Sequence, residues 1–443
     1  MSVAMQNQLA DGGDFVLDLG DTFGDDHNPY TITEAEIEQL HLDFRPYIGM
    51  LGHSSPLFFC LGNHEGENGF YLAETPPNNL AVYGSRWRQF YYPNPVPDSF
   101  YTGNTTEEPY GIGRPENYYA WEWGDALFVV LDVYRHYTAS AKPGGWDWTI
   151  GDEQYQWFKR TLEQSTAAHK FVFAHHILGQ SRGATLLARL YEWGGYEADG
   201  VTWGFAARRP GWAMPIHQLM VANDVTMFVQ GHDHLFAKEE LDGVVYQTVP
   251  MPCDSTYNIG MEFAADYVGD ILPPSGHLRI TVAPAGVQVE FVRAVEPWDE
   301  TPEHPNGEIA YSYAIGALPG KFALTVVPPV NGTISPGSVL VDSGGSQRFA
   351  FSPSVGYHVD SVLVDAGMVA DSVTGYTFVN VLEDHQLRGL FAADSYERAA
   401  HSYGRSFRDL VRAFRRDEMN AMLDLAQAGI GSLLTLQEAA RTA

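Results

Sequence analysis

Four apolar runs in this chain each end in a short motif built from Gly, Asp, Asn and His, and that repetition constrains the fold more than any other feature. "DFVLDL" leads into Gly20-Asp21, "PLFFCL" into Gly62-Asn63-His64-Glu65, "KFVF" into Ala174-His175-His176, and "TMFVQ" into Gly231-His232-Asp233-His234. A short apolar run bounded by turn residues reads as a strand buried on both faces. The runs alternate with helical patterns such as "TEAEIEQLHLDFRPYI" and "DEQYQWFKRTLEQ". Alternation of this kind predicts an α/β (α+β layered) architecture with helices over a largely buried sheet. Ligands in such sheets gather at the carboxyl ends of the strands, where all four motifs fall.

Each motif alone has a dull explanation. Asp21 suits a turn cap, Asn63 a tight turn and His175 a satisfied core position. Together, each after a strand, they assemble the donors that divalent transition metals prefer: imidazole nitrogen, carboxylate oxygen and a neutral amide oxygen from Asn63. His232 and His234 are two residues apart, so an extended backbone would point both one way and Asp233 the other. The glycines before Asp21, Asn63 and His232 permit the sharp exit that a ligand loop needs.

These motifs resemble those of the calcineurin-like metallophosphoesterases over about residues 14 to 295. The resemblance implies a β-sandwich flanked by helices and two divalent metal ions (Mn, Zn or Fe) that hydrolyse phosphate monoesters or diesters through an activated water. It implies that Asp21 bridges the metals, that Asn63, His175 and His232 complete one site, and that His234 serves the other. His64 would contact the phosphate and assist the leaving group, making His64 and Asp21 the catalytic residues. Asn63, His64 and Arg182 would bind substrate. Arg114, in another loop, is a second candidate clamp, and His176 rivals His175. Where purple acid phosphatases carry a tyrosine, three residues after the bridging aspartate, this chain has Gly24, so an Fe(III)-tyrosinate centre is not expected.

The family's opening Asp-x-His motif has no counterpart ahead of Asp21, and Asp25-x-His27 follows Asp21 on the same loop. The expectation is that the first strand lies upstream of Met1, leaving one metal held tightly and the other weakly. A catalytically impaired surface or binding protein of the same fold is therefore the alternative to an enzyme.

The domain organisation expected is a metallophosphoesterase domain over 1–318, a small all-β module over 319–393 and a helical tail over 394–443. The module, with Asn-Gly, Pro-Gly and Gly-Gly turns between short alternating strands, resembles the repeat domains appended to bacterial surface and secreted proteins. Within the first domain, Asn79–Glu122 reads as a long ordered loop and His277–Val295 as a hairpin. Net charge is -29, with 55 acidic against 26 basic residues. Such a surface repels nucleic acid, so no nucleic-acid partner is expected, while the family resemblance implies a small phosphate ester as substrate. No apolar run is long enough to cross a bilayer. An extracellular, periplasmic or cell-surface bacterial location is expected, with surface attachment or self-association through the module or tail.

Overall fold

The structure is a computed structural model that describes residues 1–23, 31–72, 79–136, 144–179, 181–258, 264–302, 304–316, 318, 320–371 and 373–394. The chain divides into two compact units, the first essentially Met1–Glu308 and the second beginning at Ile309.

The first unit contains β1 (Val16–Asp18), β2 (Leu57–Phe59), β3 (Thr102–Gly103), β4 (Tyr119–Trp123), β5 (Ala126–Val130), β6 (His169–Phe173), β7 (Met227–Gln230), β8 (Phe236–Leu241), β9 (Val244–Thr248), β10 (Asp270–Leu272), β11 (Gly276–Ala283) and β12 (Gly286–Arg293). Eight of them form one mixed sheet in the order β10-β8-β9-β7-β6-β5-β4-β3. Its centre, β5-β6-β7-β9, is parallel. The flanking pairs are antiparallel. Strands β1 and β2 pair in parallel as a separate two-stranded sheet, and β11 and β12 make the expected hairpin.

Side-chain alternation along β5 builds two layers. Leu127 and Val129 join Val172 and Phe228 in the core that receives Tyr155, Phe158 and Leu162 from the helix Gly151–Gln164. Phe128 turns the other way. Its ring stacks on Trp121 at 5.1 Å and meets Phe15 edge-on at 5.0 Å, and Trp121 stacks on Phe58 of β2 at 4.3 Å. Phe236 and Phe291 likewise stack at 5.2 Å, joining the hairpin to the large sheet. The result is sheet against sheet on one face and helix against sheet on the other, the helix-flanked β-sandwich expected.

Asn79–Glu122 is not one long loop. It contains the helix Leu80–Tyr91 and strand β3, and it runs into β4. The Asn79 side chain accepts from Val82 N–H and caps the helix. Leu80, Ala81, Val82, Tyr83, Ser85 and Arg88 are buried. With Gly84 and several aromatics inside "LAVYGSRWRQFY", local propensity is weak, and burial decides the helix.

The described residues of the second unit are all-β, as expected for the module. One sheet holds Lys321–Val326, Val339–Asp342, Tyr357–Val364, Gly367–Asp371 and His385–Ala393, and another holds Gly332–Ser335, Gln347–Pro353 and Gly375–Phe378. Leu324, Phe349, Phe351, Val362 and Leu387 form its core. The segment Ile309–Ala314 belongs to this unit, because Ser312 N–H donates to Ser338 O at 2.7 Å and Gly337 N–H to Ala310 O at 2.6 Å. The tail expected to be helical lies outside the described residues from 395 onward. No helix among the described residues is long and apolar enough to cross a membrane. Cys60, buried, and Cys253, half-buried, are both free thiols.

Candidate metal centre

The register of the central strands sets their ends level. Val130 of β5 pairs with Phe173 of β6, and Phe173 with Val229 of β7. Ala174-His175 and Gly231-His232 therefore leave the sheet side by side. From the second sheet, β1 and β2 bring Gly20-Asp21 and Gly62-Asn63 to the same edge, with Cys60 N–H donating to Asp18 O at 2.8 Å. Two glycines let these loops touch. A Cβ on Gly62 would stand 2.3 Å from Asp21 Oδ1, and one on Gly20, at φ 92°, would stand 2.6 Å from Gly62 N. Any side chain at either position would separate the loops.

Asp21, His175 and His232 present ligand atoms that all lie within 4.8 Å of one another. His175 Nδ1 lies 2.6 Å from Leu19 O, so it carries a proton toward that carbonyl. Its Nε2 then faces Asp21 Oδ2 at 3.1 Å and His232 Nδ1 at 3.1 Å. The three atoms converge on one point, an arrangement that calls for either a proton on His175 Nε2 or a cation among them. Burial alone would push the His175 imidazole down, but the Asp21 carboxylate, with a hydrogen bond to it and Glu65 beyond, holds it above its ordinary value. Burial would push the Asp21 carboxyl up, yet His175 outweighs this and keeps it below its usual range. His232 is pushed far down by burial and by its His176 and His175 neighbours, which leaves its ring neutral and able to ligate.

Among the described residues, His232 Nε2 and Asn63 Oδ1 are buried atoms with no hydrogen-bond partner. An unpaired buried polar atom costs about 1–3 kcal/mol. Asp21, His232 and His234 also hold positive φ values of 58°, 68° and 55°, a region that residues other than glycine rarely adopt. The donor chemistry, the unpaired atoms and the neutral imidazole fit a divalent cation.

The backbone at Gly231–His234 is not extended, because positive φ at both histidines turns the chain twice. His232 is consequently buried, while His234 is exposed and lies outside the group of three. His176 uses both ring nitrogens on its own loop, Nε2 to Gly183 O at 3.0 Å and Nδ1 from Leu178 N–H at 3.2 Å. Burial lowers it to about 4. His64 is half-buried, and its N–H donates to Asp21 Oδ1 at 2.8 Å. Arg182 Nη1 donates to His232 O at 2.9 Å and Asp233 Oδ1 at 2.8 Å. Arg114 instead pairs with Glu107, at 3.3 Å. Gly24, Asp25 and His27 lie outside the described residues.

Glu65 is the contributor that motif reading left without a role. Its carboxylate accepts N–H bonds from Asp21 at 3.0 Å, Thr22 at 2.7 Å and Phe23 at 3.3 Å, and from Gly62 as well. It thus fastens the exit of β1 to that of β2. Burial, then the Asp21 charge, raises it to about 7. The signal available was its place closing "GNHE".

A family profile described as calcineurin-like phosphoesterase matches residues 3–236, more than half of the 443 residues. Among solved structures, one of purple acid phosphatase PPD1 from yellow lupin (Lupinus luteus) seeds is similar at 15% identity and TM-score 0.42. The likeness covers 71% of this chain and 48% of that one, so this chain spans about half its length. A structure of GAP50, the anchor in the inner membrane complex of Plasmodium, is similar at 13% identity and TM-score 0.33, covering 68% of this chain and 88% of that one. No curated protein matches.

Proposed function

The chain belongs to the calcineurin-like phosphoesterases, metal-dependent hydrolases of phosphate esters in general, and from that premise we propose that it hydrolyses small phosphate monoesters or diesters at the edge where Asp21, His175 and His232 meet. The observation that carries this reading is the convergence of His175 Nε2, Asp21 Oδ2 and His232 Nδ1, with His232 Nε2 and Asn63 Oδ1 buried beside them unpaired. Asp21, Asn63, His175 and His232 would hold one divalent ion, and His234 with Asp21 a second. Bound there, the ions supply charge to neutralise phosphoryl oxygens and to acidify water for attack.

The chain's own residues do the rest. The Leu19 carbonyl fixes the His175 tautomer so that a lone pair stays aimed inward. The Glu65 carboxylate and the His64 N–H hold the two faces of Asp21 in place. The His64 imidazole would give a hydrogen bond or proton to the departing oxygen. Arg182, anchored beside His232, offers a fixed cation to a phosphate oxygen. The net charge of -29 disfavours polyanionic nucleic acid as substrate.

The test is a panel of chromogenic phosphate monoesters and diesters, each assayed with Mn²⁺, Zn²⁺ or Fe²⁺ supplied. Hydrolysis of at least one class, abolished by a chelator and restored by metal, is expected. Bound metal with no hydrolysis of either class would assign the chain to the alternative, a binding protein that keeps the fold.

A further inference from the structure

We propose that Asp233, the residue between the two histidines of the last motif, is a positioning residue that fixes Arg182 as the anion contact of the site, with Tyr267 bracing it from behind. The inference rests on the phosphoesterase reading for the identity of the anion.

The Asp233 side chain is completely buried, whereas 36% of the Arg182 side chain is exposed. A buried carboxylate is tolerated only when its oxygens are bonded and its charge is matched. Asp233 meets that demand on both oxygens: Oδ1 takes Arg182 Nη1 at 2.8 Å, and Oδ2 takes Gly183 N–H at 2.8 Å and the Tyr267 hydroxyl, with His176 Nε2 farther off at 3.9 Å. Arg182 Nη1 also donates to His232 O at 2.9 Å, so one guanidinium nitrogen is tied at once to the buried carboxylate and to a candidate ligand's backbone.

The loop that carries Arg182 is fastened on its far side too. His176 Nε2 and Gln230 Nε2 both donate to Gly183 O, at 3.0 and 3.1 Å. Glu239 accepts from Thr185 N–H at 3.1 Å and Thr185 Oγ1 at 3.0 Å. It also takes Val268 N–H, next to Tyr267, at 2.8 Å. Gly183, at φ 99°, lies so close to the Tyr267 segment that a Cβ would stand 2.7 Å from Asp266 O. A flexible arginine loses rotamer entropy when it grips an anion, and one already held loses less. The buried Asp233–Tyr267 pair supplies that restraint from beneath the metal-facing loop.

The experiment is a double-mutant cycle on the full chain loaded with Mn²⁺, reading inorganic phosphate affinity by calorimetry and metal content by elemental analysis. Arg182→Ala and Asp233→Asn should each weaken phosphate binding about tenfold or more at unchanged metal content. The double variant should bind no more weakly than Arg182→Ala alone. Tyr267→Phe, which removes only the brace, should move affinity the same way by a smaller factor and keeps the test open if Asp233→Asn fails to fold. Additive effects, unaltered phosphate affinity in Arg182→Ala, or metal loss in Asp233→Asn would each overturn the proposal. Coupled, Arg182-dependent phosphate binding without ester hydrolysis would support this inference while sinking the catalytic one. Hydrolysis with additive effects would do the reverse.

Discussion

Two groups of buried charge lie at the carboxyl edge of the same sandwich, and they differ in completeness. At the exit of β5, Arg88 is wholly buried and bonded to Glu67 at 2.6 Å, Glu116 at 3.3 Å and Pro115 O at 2.5 Å. Arg135 beside it takes Glu108, Glu67 O at 2.9 Å and Ser85 Oγ at 3.1 Å. Asp132 accepts from Asn117 at 2.7 Å and Tyr134 N–H at 2.7 Å. Those cations and anions answer one another. At the exits of β1, β2, β6 and β7, Asp21 and His232 share the single His175 Nε2, and among the described residues buried atoms that include His232 Nε2 and Asn63 Oδ1 have no partner. A closed network has its partners among the described residues, whereas an open one has room for a further cation.

The largest expected effect breaks the open group. Asp21→Asn removes the central charge, and hydrolysis should fall below detection together with the bound metal, measured side by side by chromogenic assay and elemental analysis. The metal-free variant should unfold within about 1 kcal/mol of the metal-free parent, since only a partly exposed acceptor is altered. Severe destabilisation without metal would mean that this group is structural after all. His64→Ala should then separate roles within the group: turnover down about 10²–10⁴-fold with metal content retained. Equal loss of both would move His64 among the ligands.

How much of this was legible in sequence follows the same division. The open group was visible because each donor follows its own apolar strand, and strands announce themselves locally. The closed group was not: Arg88, Glu67, Glu116 and Arg135 are joined across 21 to 68 positions. Nothing local distinguishes a buried salt bridge from a solvated charge. The helix that carries Arg88 was hidden for another reason: Leu80, Tyr83, Trp87 and Tyr91 recur at helical spacing, but Gly84 and the Tyr-, Pro-, Asn- and Gly-rich sequence around them read as loop. The twist at His232 and His234 escaped too, since alternation predicts an extended chain and only loop geometry reveals two positive φ angles. Glu65 sat inside a visible motif, but its four N–H partners come from two separate loops.

Breaking the closed group should act through stability alone. Arg88→Ala leaves buried Glu67 and half-buried Glu116 without their cation, a cost of about 3–5 kcal/mol in denaturant unfolding. Turnover per folded molecule should stay near that of the parent. If Arg88→Ala folds normally but loses turnover, the network belongs to the site and the contrast collapses.

The smallest effect on hydrolysis is expected from the second unit, which contains none of the residues assigned to the site. Its core is its own: Phe349 is fully buried among Leu324, Phe351, Val362 and Leu387. Phe349→Ala should cost that unit about 3–5 kcal/mol through lost transfer energy and the cavity left behind. Differential scanning calorimetry should show one transition moving down and another staying in place, provided the two units unfold separately. Hydrolysis and metal content, assayed between the two transitions, should remain within about twofold of the parent by additivity of distant sites. Loss of activity at the first transition, with the other transition unmoved, would mean that the all-β unit shapes the site. The division near Glu308 would then be one of packing and not of function.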